Sequence, residues 1–195
     1  LRVRRRRWPL RDHRDQFQMN FSIRPFTIEH DLPAFHSIYA EAVLNGTGSF
    51  ELEPPTLDDL QDRAASLLRE NYPFLVADDE EAQMILGFAY GGPHKLRPAY
   101  RFTVESSIYV APQAKKRGVG AALLSSLIDR STALGFRQMV AVVGDSANTG
   151  SILVHAKYGF EEVGRWDSVG FKHGKWRDVV LMQRPLGEGS STSPE

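Results

Sequence analysis

One stretch limits what this chain can fold into more than any other: an alternating run, Tyr100–Val110, followed at once by a glycine-bearing basic loop and an apolar helical stripe. Phe102, Val104, Ile108 and Val110 alternate with Arg101, Thr103, Glu105, Ser107 and Tyr109, which predicts a long strand with one apolar and one polar face. Val119, Leu123, Leu127 and Leu134 follow helical spacing and predict a helix over 118–134. The connecting loop is Val110-Ala-Pro-Gln-Ala-Lys-Lys-Arg-Gly-Val-Gly-Ala121. It is not a Walker A loop, because no Gly-Lys-Ser/Thr follows. Nor is it the dinucleotide fingerprint, because no third glycine stands at the required spacing. What remains is a turn whose backbone N–H groups open a helix, with Gly118 and Gly120 allowing close approach and Lys115, Lys116 and Arg117 around it. A helix N-terminus of this kind binds anions and suits a pyrophosphate. On these residues alone, a glycine-containing helix start with solvated lysines is an equally good reading.

The rest of the chain places this unit in a mixed sheet. Ser22–Thr27 reads as a short strand, and Asp31 as the N-cap of a helix with Pro33 in its first turn and Leu32, Phe35, Ile38, Ala42 and Val43 on one face. The loop Asn45-Gly46-Thr47-Gly48 ends that helix. Thr56 caps a second helix with Leu57, Leu60, Ala64 and Leu67 as its stripe. Pro73–Asp78 and Met84–Gly91 read as strands, Met139–Val143 as a buried strand, and Asn148 as the cap of a fourth helix ending near Tyr158 with Gly159 as its stop. Strands near Glu162–Val169 and Asp178–Gln183 flank a Gly/Lys-rich segment, 170–177. The predicted order, β-αα-βββ-α-β-α-ββ, is an α/β (α+β in some schemes) fold: a mixed, mostly antiparallel central sheet with helices on both faces. At 195 residues the chain is long enough for one sizeable core.

Composition closes several routes. There is no cysteine, so disulfide scaffolds, thiolate metal sites and cysteine nucleophiles are excluded. His30, His36, His94, His155 and His173 are scattered, and no metal site is predicted. No apolar run approaches the ~20 residues of a membrane span, and a cytoplasmic location is expected. Lys+Arg and Asp+Glu are both 24, but the zero net charge is uneven: residues 1–18 carry +5 and the remainder −5. That Arg-rich leader has no hydrophobic periodicity and is expected to be disordered. Met19 directly precedes the first regular segment, so residues 1–18 are read as non-native or as lying upstream of a start at Met19. A nucleic-acid arm ranks below that reading. The domain is expected over 19–186, with a disordered Ser/Gly/Pro-rich tail over 187–195.

The strand, Pro112, the basic-x-x-Gly-x-Gly loop and the helix together resemble motif A of the GNAT N-acetyltransferase superfamily, although Lys115 stands where Gln or Arg is usual. Gly92-Pro-His-Lys-Leu-Arg-Pro-Ala-Tyr100, Thr103-Val-Glu-Ser-Ser-Ile-Tyr-Val110 and Gly170-Phe-Lys-His-Gly-Lys-Trp-Arg-Asp-Val179 resemble the phosphinothricin/methionine sulfone acetyltransferases, from about Ile23 to about Pro185. The resemblance implies acetyl-CoA as co-substrate. Its pyrophosphate would sit on Lys115, Lys116, Arg117, Gly118, Val119, Gly120 and Ala121. Its pantetheine arm would lie along the backbone of Ile108, Tyr109 and Val110 and against Asn148 and Ser151, with the Val110 N–H as oxyanion donor. It also implies Glu105 as general base and His155, or nearby Tyr158, as the group that handles the departing thiolate. Phe50, Lys95, Arg97 and Tyr100 would contact the acceptor, with Arg97 suited to a carboxylate. Family members look like homodimers, and Phe171 and Trp176 would supply apolar anchors.

Each of these residues has a plainer alternative. Glutamate is depleted in strands, so Glu105 calls for a reason, and an ion pair with Arg101 or Arg97 on a solvated face would also serve. Asn148 is first of all a helix cap. The expected activity is transfer of acetyl to the α-amine of a small amino-acid-like acceptor, directly, since no cysteine can carry an acyl group. The alternatives are acetylation of a peptide N-terminus or polyamine, or a non-catalytic acyl-CoA-binding module.

Overall fold

Residues 20–194 are described by the computed structural model; the leader 1–18 lies outside them. Seven stretches rich in β-branched, apolar and aromatic residues form strands: Ser22–Pro25 (β1), Phe74–Asp79 (β2), Met84–Pro93 (β3), Thr103–Val110 (β4), Gln138–Gly144 (β5), Glu161–Lys172 (β6) and Lys175–Pro185 (β7). They pair into one sheet in the order β1-β2-β3-β4-β5-β7-β6. Every neighbouring pair is antiparallel except β4 and β5. Helices Ile28–Asn45 (α1), Leu57–Arg69 (α2), Val119–Ala133 (α3) and Thr149–Lys157 (α4) complete the predicted order.

The helices cover both faces, because adjacent strand residues point to opposite sides. Phe88 meets Phe35 of α1 at a ring separation of 4.6 Å, while a Cβ at the next position back, Gly87, would lie 3.2 Å from Leu123 of α3. Under α1, Phe26 stacks on Phe74 at 4.0 Å. Under α3, Val119, Leu123, Leu124, Leu127 and Ile128 are buried. The polar face predicted for β4 is therefore not a solvated one: Tyr109 packs its ring on Tyr39 at 4.9 Å and Phe88 at 5.2 Å.

Several boundaries move. α1 begins at Ile28 with Thr27 as N-cap, not at Asp31. Asp31 lies in the first turn, where its Oδ2 accepts the Thr27 N–H at 2.8 Å and its two oxygens accept both terminal nitrogens of Arg24 at 2.8 and 2.7 Å. Capping by a residue inside the helix is invisible to a rule that looks for the cap in front of it. Thr56 caps α2 as expected, and Asp59 reciprocates: the Asp59 N–H donates to Thr56 Oγ1 at 3.1 Å and the Thr56 N–H to Asp59 Oδ2 at 3.0 Å. Leu57, placed in the α2 stripe, is instead 42% exposed. β4 starts at Thr103 rather than Tyr100, because Pro98–Tyr100 form a single 3-10 turn. The segment 170–177, expected between the last two strands, is the hairpin that joins them. β6 and β7 run through it and turn only at His173 and Gly174, both at positive φ (51° and 69°), the backbone of a tight two-residue hairpin. In the described part of the tail, Arg137 donates to the Thr192 carbonyl at 3.2 Å and pairs with Glu188 at 3.3 Å.

Asp31 is 1% exposed, and Arg24 bridges it to Asp78 at 2.7 Å. Burial alone would raise the Asp31 pKa, but the hydrogen bonds from Arg24 and Thr27 outweigh burial and hold it below its usual value of 3.8. Because the folded pKa is the lower one, this stability is fully present above the unfolded pKa and is lost as pH falls through the folded one. Asp31→Ala should cost about 2 kcal/mol in urea unfolding at neutral pH, by removing the charge-assisted hydrogen bonds from Arg24 and the Thr27 N–H. An unchanged unfolding midpoint would show that Asp78 alone satisfies Arg24.

Candidate active site

β4 is the strand on which the site is built. Its ladder to β3 runs from Pro93↔Val104 to Gly87↔Val110. The Ala111 N–H donates to Leu86 O at 2.9 Å, which makes 111 and 86 a bonded pair. Antiparallel bonding alternates, so Tyr109, Ser107 and Glu105 also bond toward β3, while the main-chain groups of Ile108 and Val110 point toward β5. The parallel ladder to β5, however, covers only Thr103↔Gln138, Val104↔Met139 and Glu105↔Val140. Beyond Glu105 the two strands part, apart from a side-chain hydrogen bond from Ser106 Oγ to Val140 O at 3.3 Å. Among the described residues, the edge of Ile108 and Val110 thus has no strand laddered to it on the β5 side, the kind of edge that an extended amide-bearing chain can join.

The basic loop stands at the end of that edge. After the turn Pro112–Ala114, Lys116 and Gly118 both have positive φ, 64° and 84°. Alternating backbone handedness turns successive N–H groups to one side and makes an anion-binding nest. Gly118 is the N-cap of α3 with no side-chain hydrogen bond, and the first main-chain bond of the helix is Ala122 N to Gly118 O, 3.0 Å. The N–H groups of Val119, Gly120 and Ala121 are therefore the helix's open donors. A Cβ on Gly120 would meet only Val110 Cγ2 at 3.5 Å, an ordinary contact. The protein itself does not require glycine there; a ligand lying on the helix start would. Lys115, Lys116 and Arg117 are exposed, and Arg117 leans toward Asp79 at 3.7 Å.

Glu105 sits at the point where the strands part. Its partner is neither Arg97 nor Arg101 but His94, whose Nδ1 lies 2.9 Å from Glu105 Oε2. Arg101 instead lays its guanidinium over the Phe102 ring at 4.4 Å. Tyr100 meets the His94 ring edge-on at 5.8 Å. Lys95, Arg97 and Tyr100 are all exposed on the segment between β3 and β4, together with Leu96 at 92% exposure.

α4 begins at the far end of β5. Asn148 Oδ1 accepts the Ser151 N–H at 3.3 Å, so the predicted cap is present. His155 is buried and packs edge-on against Phe160 at 4.9 Å. Its Nδ1 lies 2.8 Å from the Ser151 carbonyl, which can only accept, so Nδ1 carries the proton. Nε2 is then a bare lone pair with no partner among the described residues. Burial lowers the His155 pKa, only partly offset by the bond to Ser151. This geometry suits His155 to accept a proton on Nε2 rather than to donate one. Tyr158, the C-cap of α4, is half-buried.

Phe50 lies where the loop after α1 meets the β6–β7 hairpin: a Cβ on Gly170 would fall 2.3 Å from its Cε2, and one on Gly144 3.0 Å from its Cε1. The buried Lys172 ammonium donates to Ser49 O at 2.7 Å and pins the same loop. Below it, on the Glu105 side of β4, Arg63 pairs with Glu51 at 3.0 Å and lies over the Tyr39 ring at 5.3 Å. Burial raises the Tyr90 and Tyr109 phenols, so both stay protonated donors at neutral pH.

The sequence model described as the Acetyltransferase (GNAT) family matches residues 32–160. The chain belongs to the GNAT family. Among its relatives, a phosphinothricin N-acetyltransferase of Alcaligenes faecalis is 48% identical over 167 residues, 86% of this chain and 84% of that protein. An L-methionine sulfoximine/L-methionine sulfone acetyltransferase of Pseudomonas aeruginosa is 38% identical over 168 residues, 86% of this chain and 96% of the relative. The crystal structure of a phosphinothricin acetyltransferase from Sinorhizobium meliloti with AcCoA superposes at a TM-score of 0.87, with 45% identity, over 91% of this chain and 94% of that one. This GNAT protein is accordingly an N-acetyltransferase that uses acetyl-CoA.

Two features near Glu105 carry no local signal in the sequence. His94 stands within the family-like Gly92–Tyr100 segment but has no expected role there, because its approach to Glu105 depends on a hairpin register that a nine-residue connection does not reveal. The cluster of Tyr39, Glu51, Arg63 and Tyr90 joins α1, α2 and β3 across long separations, and no local signal announces it.

The buried neutral His155 makes a testable contribution to stability. Its folded pKa lies below the unfolded value of 6.5, so below 6.5 the unfolded chain binds more protons and stability falls with pH until the folded pKa is passed. Urea unfolding of His155→Gln should show a shallower loss of stability between about pH 7 and 5 than the parent. Parallel curves for the two proteins would show that His155 is not buried neutral.

Proposed function

We propose that this enzyme acetylates the α-amine of a small amino-acid-like acceptor of the phosphinothricin, methionine sulfone or methionine sulfoximine type, by direct transfer with Glu105 as general base. The observation that carries this reading is the placement of a carboxylate at the point where β4 and β5 part, beside the open edge of Ile108 and Val110. An acceptor enters as an ammonium and gives a proton to Glu105, directly or through a water. The freed amine attacks the thioester carbonyl carbon, and the C–N bond forms as the oxygen takes up charge. The outward Val110 N–H is the donor for that oxyanion. Collapse breaks the C–S bond, the thiolate takes a proton from Tyr158, and the proton that the amide nitrogen sheds returns to Tyr158 through water. What favours Tyr158 over His155 is the proton held on His155 Nδ1 by the Ser151 carbonyl.

The remaining candidates divide by ligand. The nest of Lys115 to Ala121 would take the pyrophosphate. Asn148 caps α4 through Oδ1, which leaves its amide N–H groups for the pantetheine arm, with Ser151 beside it. Arg97, exposed and close in sequence to Tyr100, suits an acceptor carboxylate, with Lys95 next to it and Phe50 closing the pocket from the hairpin side. An acceptor screen with acetyl-CoA, following free thiol, should rank α-amino-acid analogues above polyamines and peptides. Glu105→Gln should lose at least about 10²-fold in kcat at neutral pH while retaining its affinity for acetyl-CoA. Wild-type turnover by that variant would sink the general-base assignment.

The hairpin also bears on assembly. Val163, Trp166, Val169, Phe171 and Trp176 are each about half or more exposed, with Trp176 at 66% and its ring 5.4 Å from that of Phe171. Apolar patches of this kind mark interaction surfaces, and a second copy of the chain fits one whose two strands pair only with each other at this end. Sedimentation equilibrium should return a dimer mass, and Trp176→Glu a monomer. A monomer for the parent protein at micromolar concentration would remove this proposal.

A further inference from the structure

We infer that His94 is a positioning residue for the acetyl transfer: it holds one oxygen of Glu105 so that the other is turned to the acceptor amine. The inference rests on Glu105 being the base and asks how a carboxylate at a strand edge keeps a single orientation. Register supplies the first part of the answer. Gly92 stands directly across from Glu105, and His94, the first residue after β3, follows two residues later, close enough to reach Glu105 diagonally. With no side chain at Gly92, nothing across the ladder competes for the carboxylate. A Cβ there would have met only Leu67 at 3.7 Å and Tyr90 at 4.0 Å, so the gap is left by the glycine itself.

The contact is directional. His94 Nδ1 lies 2.9 Å from Glu105 Oε2, and an ionised carboxylate only accepts, so Nδ1 donates. The Tyr100 ring stands at 76° to the imidazole and limits its rotation. Both partners remain partly open, the His94 side chain 24% and the Glu105 side chain 34% exposed. In so open a place an unrestrained glutamate would sample several rotamers, and a base must lie within hydrogen-bond reach of the proton it removes. Fixing Oε2 leaves Oε1 as the proton acceptor and selects one of those rotamers.

The test separates this role from packing and from the base itself. His94→Leu should lower kcat about 10- to 100-fold, the scale of a displaced catalytic group, with KM for acetyl-CoA and the thermal midpoint unchanged. His94→Asn keeps an N–H donor where Nδ1 stands and should recover most of the lost rate. In the Glu105→Gln background, His94→Leu should add no further loss, because it acts through Glu105. Wild-type kcat in His94→Leu with an inactive Glu105→Gln would overturn the His94 role and leave the base standing. Full activity in Glu105→Gln would overturn both. Equal damage in the Leu and Asn variants, or a further loss in the double variant, would also overturn it.

Discussion

The site depends on one parting of strands. β4 and β5 share three residue pairs and then diverge after Glu105↔Val140, although both continue as strands for several residues more. Each is committed on its other edge: β4 to β3 from Val104 to Val110, and β5 to β7 from Gln138↔Pro185 to Gly144↔Val179. Two rigidly paired half-sheets, each with its own twist, cannot stay in register through a short parallel seam. The seam opens, and main-chain groups that a sheet would normally bury remain available at Ile108 and Val110. Unsatisfied backbone groups inside a protein cost free energy. A ligand carrying amides would recover that cost, so the defect that weakens the sheet is the feature on which the proposed seat for the co-substrate rests.

That geometry also sets what else can stand nearby. The odd-numbered side chains of β4 point toward α1 and α2, so Glu105, Ser107 and Tyr109 lie on the face that holds Tyr39, Arg63 and Tyr90. The loop of Lys115 to Gly118 follows the same strand, so the anion nest and the carboxylate sit toward opposite ends of one open edge. Positive charge at Lys115, Lys116 and Arg117 and negative charge at Glu105 are thereby kept apart. In the proposed mechanism this lets phosphates be attracted without a lysine neutralising Glu105. α4, at the end of β5, supplies Asn148 and Ser151 from the other wall of the gap. The division of labour between binding and chemistry follows from which strand each residue sits on.

Local signals made much of this readable. The alternation of Phe102 to Val110, the Gly118–Gly120 start of α3 and the caps Thr56 and Asn148 are rules that act within a few residues, and each appears in the structure. Failures occur where a distant partner decides. Asp31 looks like an N-cap until Arg24 and Thr27 converge on it from outside the helix. A short-range miss stands beside it at 170–177, a Gly/Lys-rich hairpin expected between shorter strands. The strands reach to Lys172 and from Lys175 because the hairpin's own ladder, Gly170↔Arg177 to Lys172↔Lys175, outweighs weak propensity. Glu105 could be singled out, since a mid-strand carboxylate is rare, but His94 could not, because its meaning exists only across the β3–β4 register.

The histidines of this protein show why residue type alone says little about chemistry. His155 occupies a motif position and looks like the more catalytic of the two, yet burial and the Ser151 carbonyl fix it as a neutral acceptor with its proton pointed into its own helix. His94 lies in a family-like segment but has no expected role there, and it is partly open to solvent, yet its ring nitrogen reaches the carboxylate at the mouth of the gap. A buried imidazole with its donor already spent can receive a proton but has none to offer. A partly open one held 2.9 Å from a carboxylate instead restricts the direction in which that carboxylate points. Both assignments follow from the acceptor each Nδ1 has found, a carbonyl in one case and a carboxylate in the other, and that choice is made by tertiary contact rather than by the histidine.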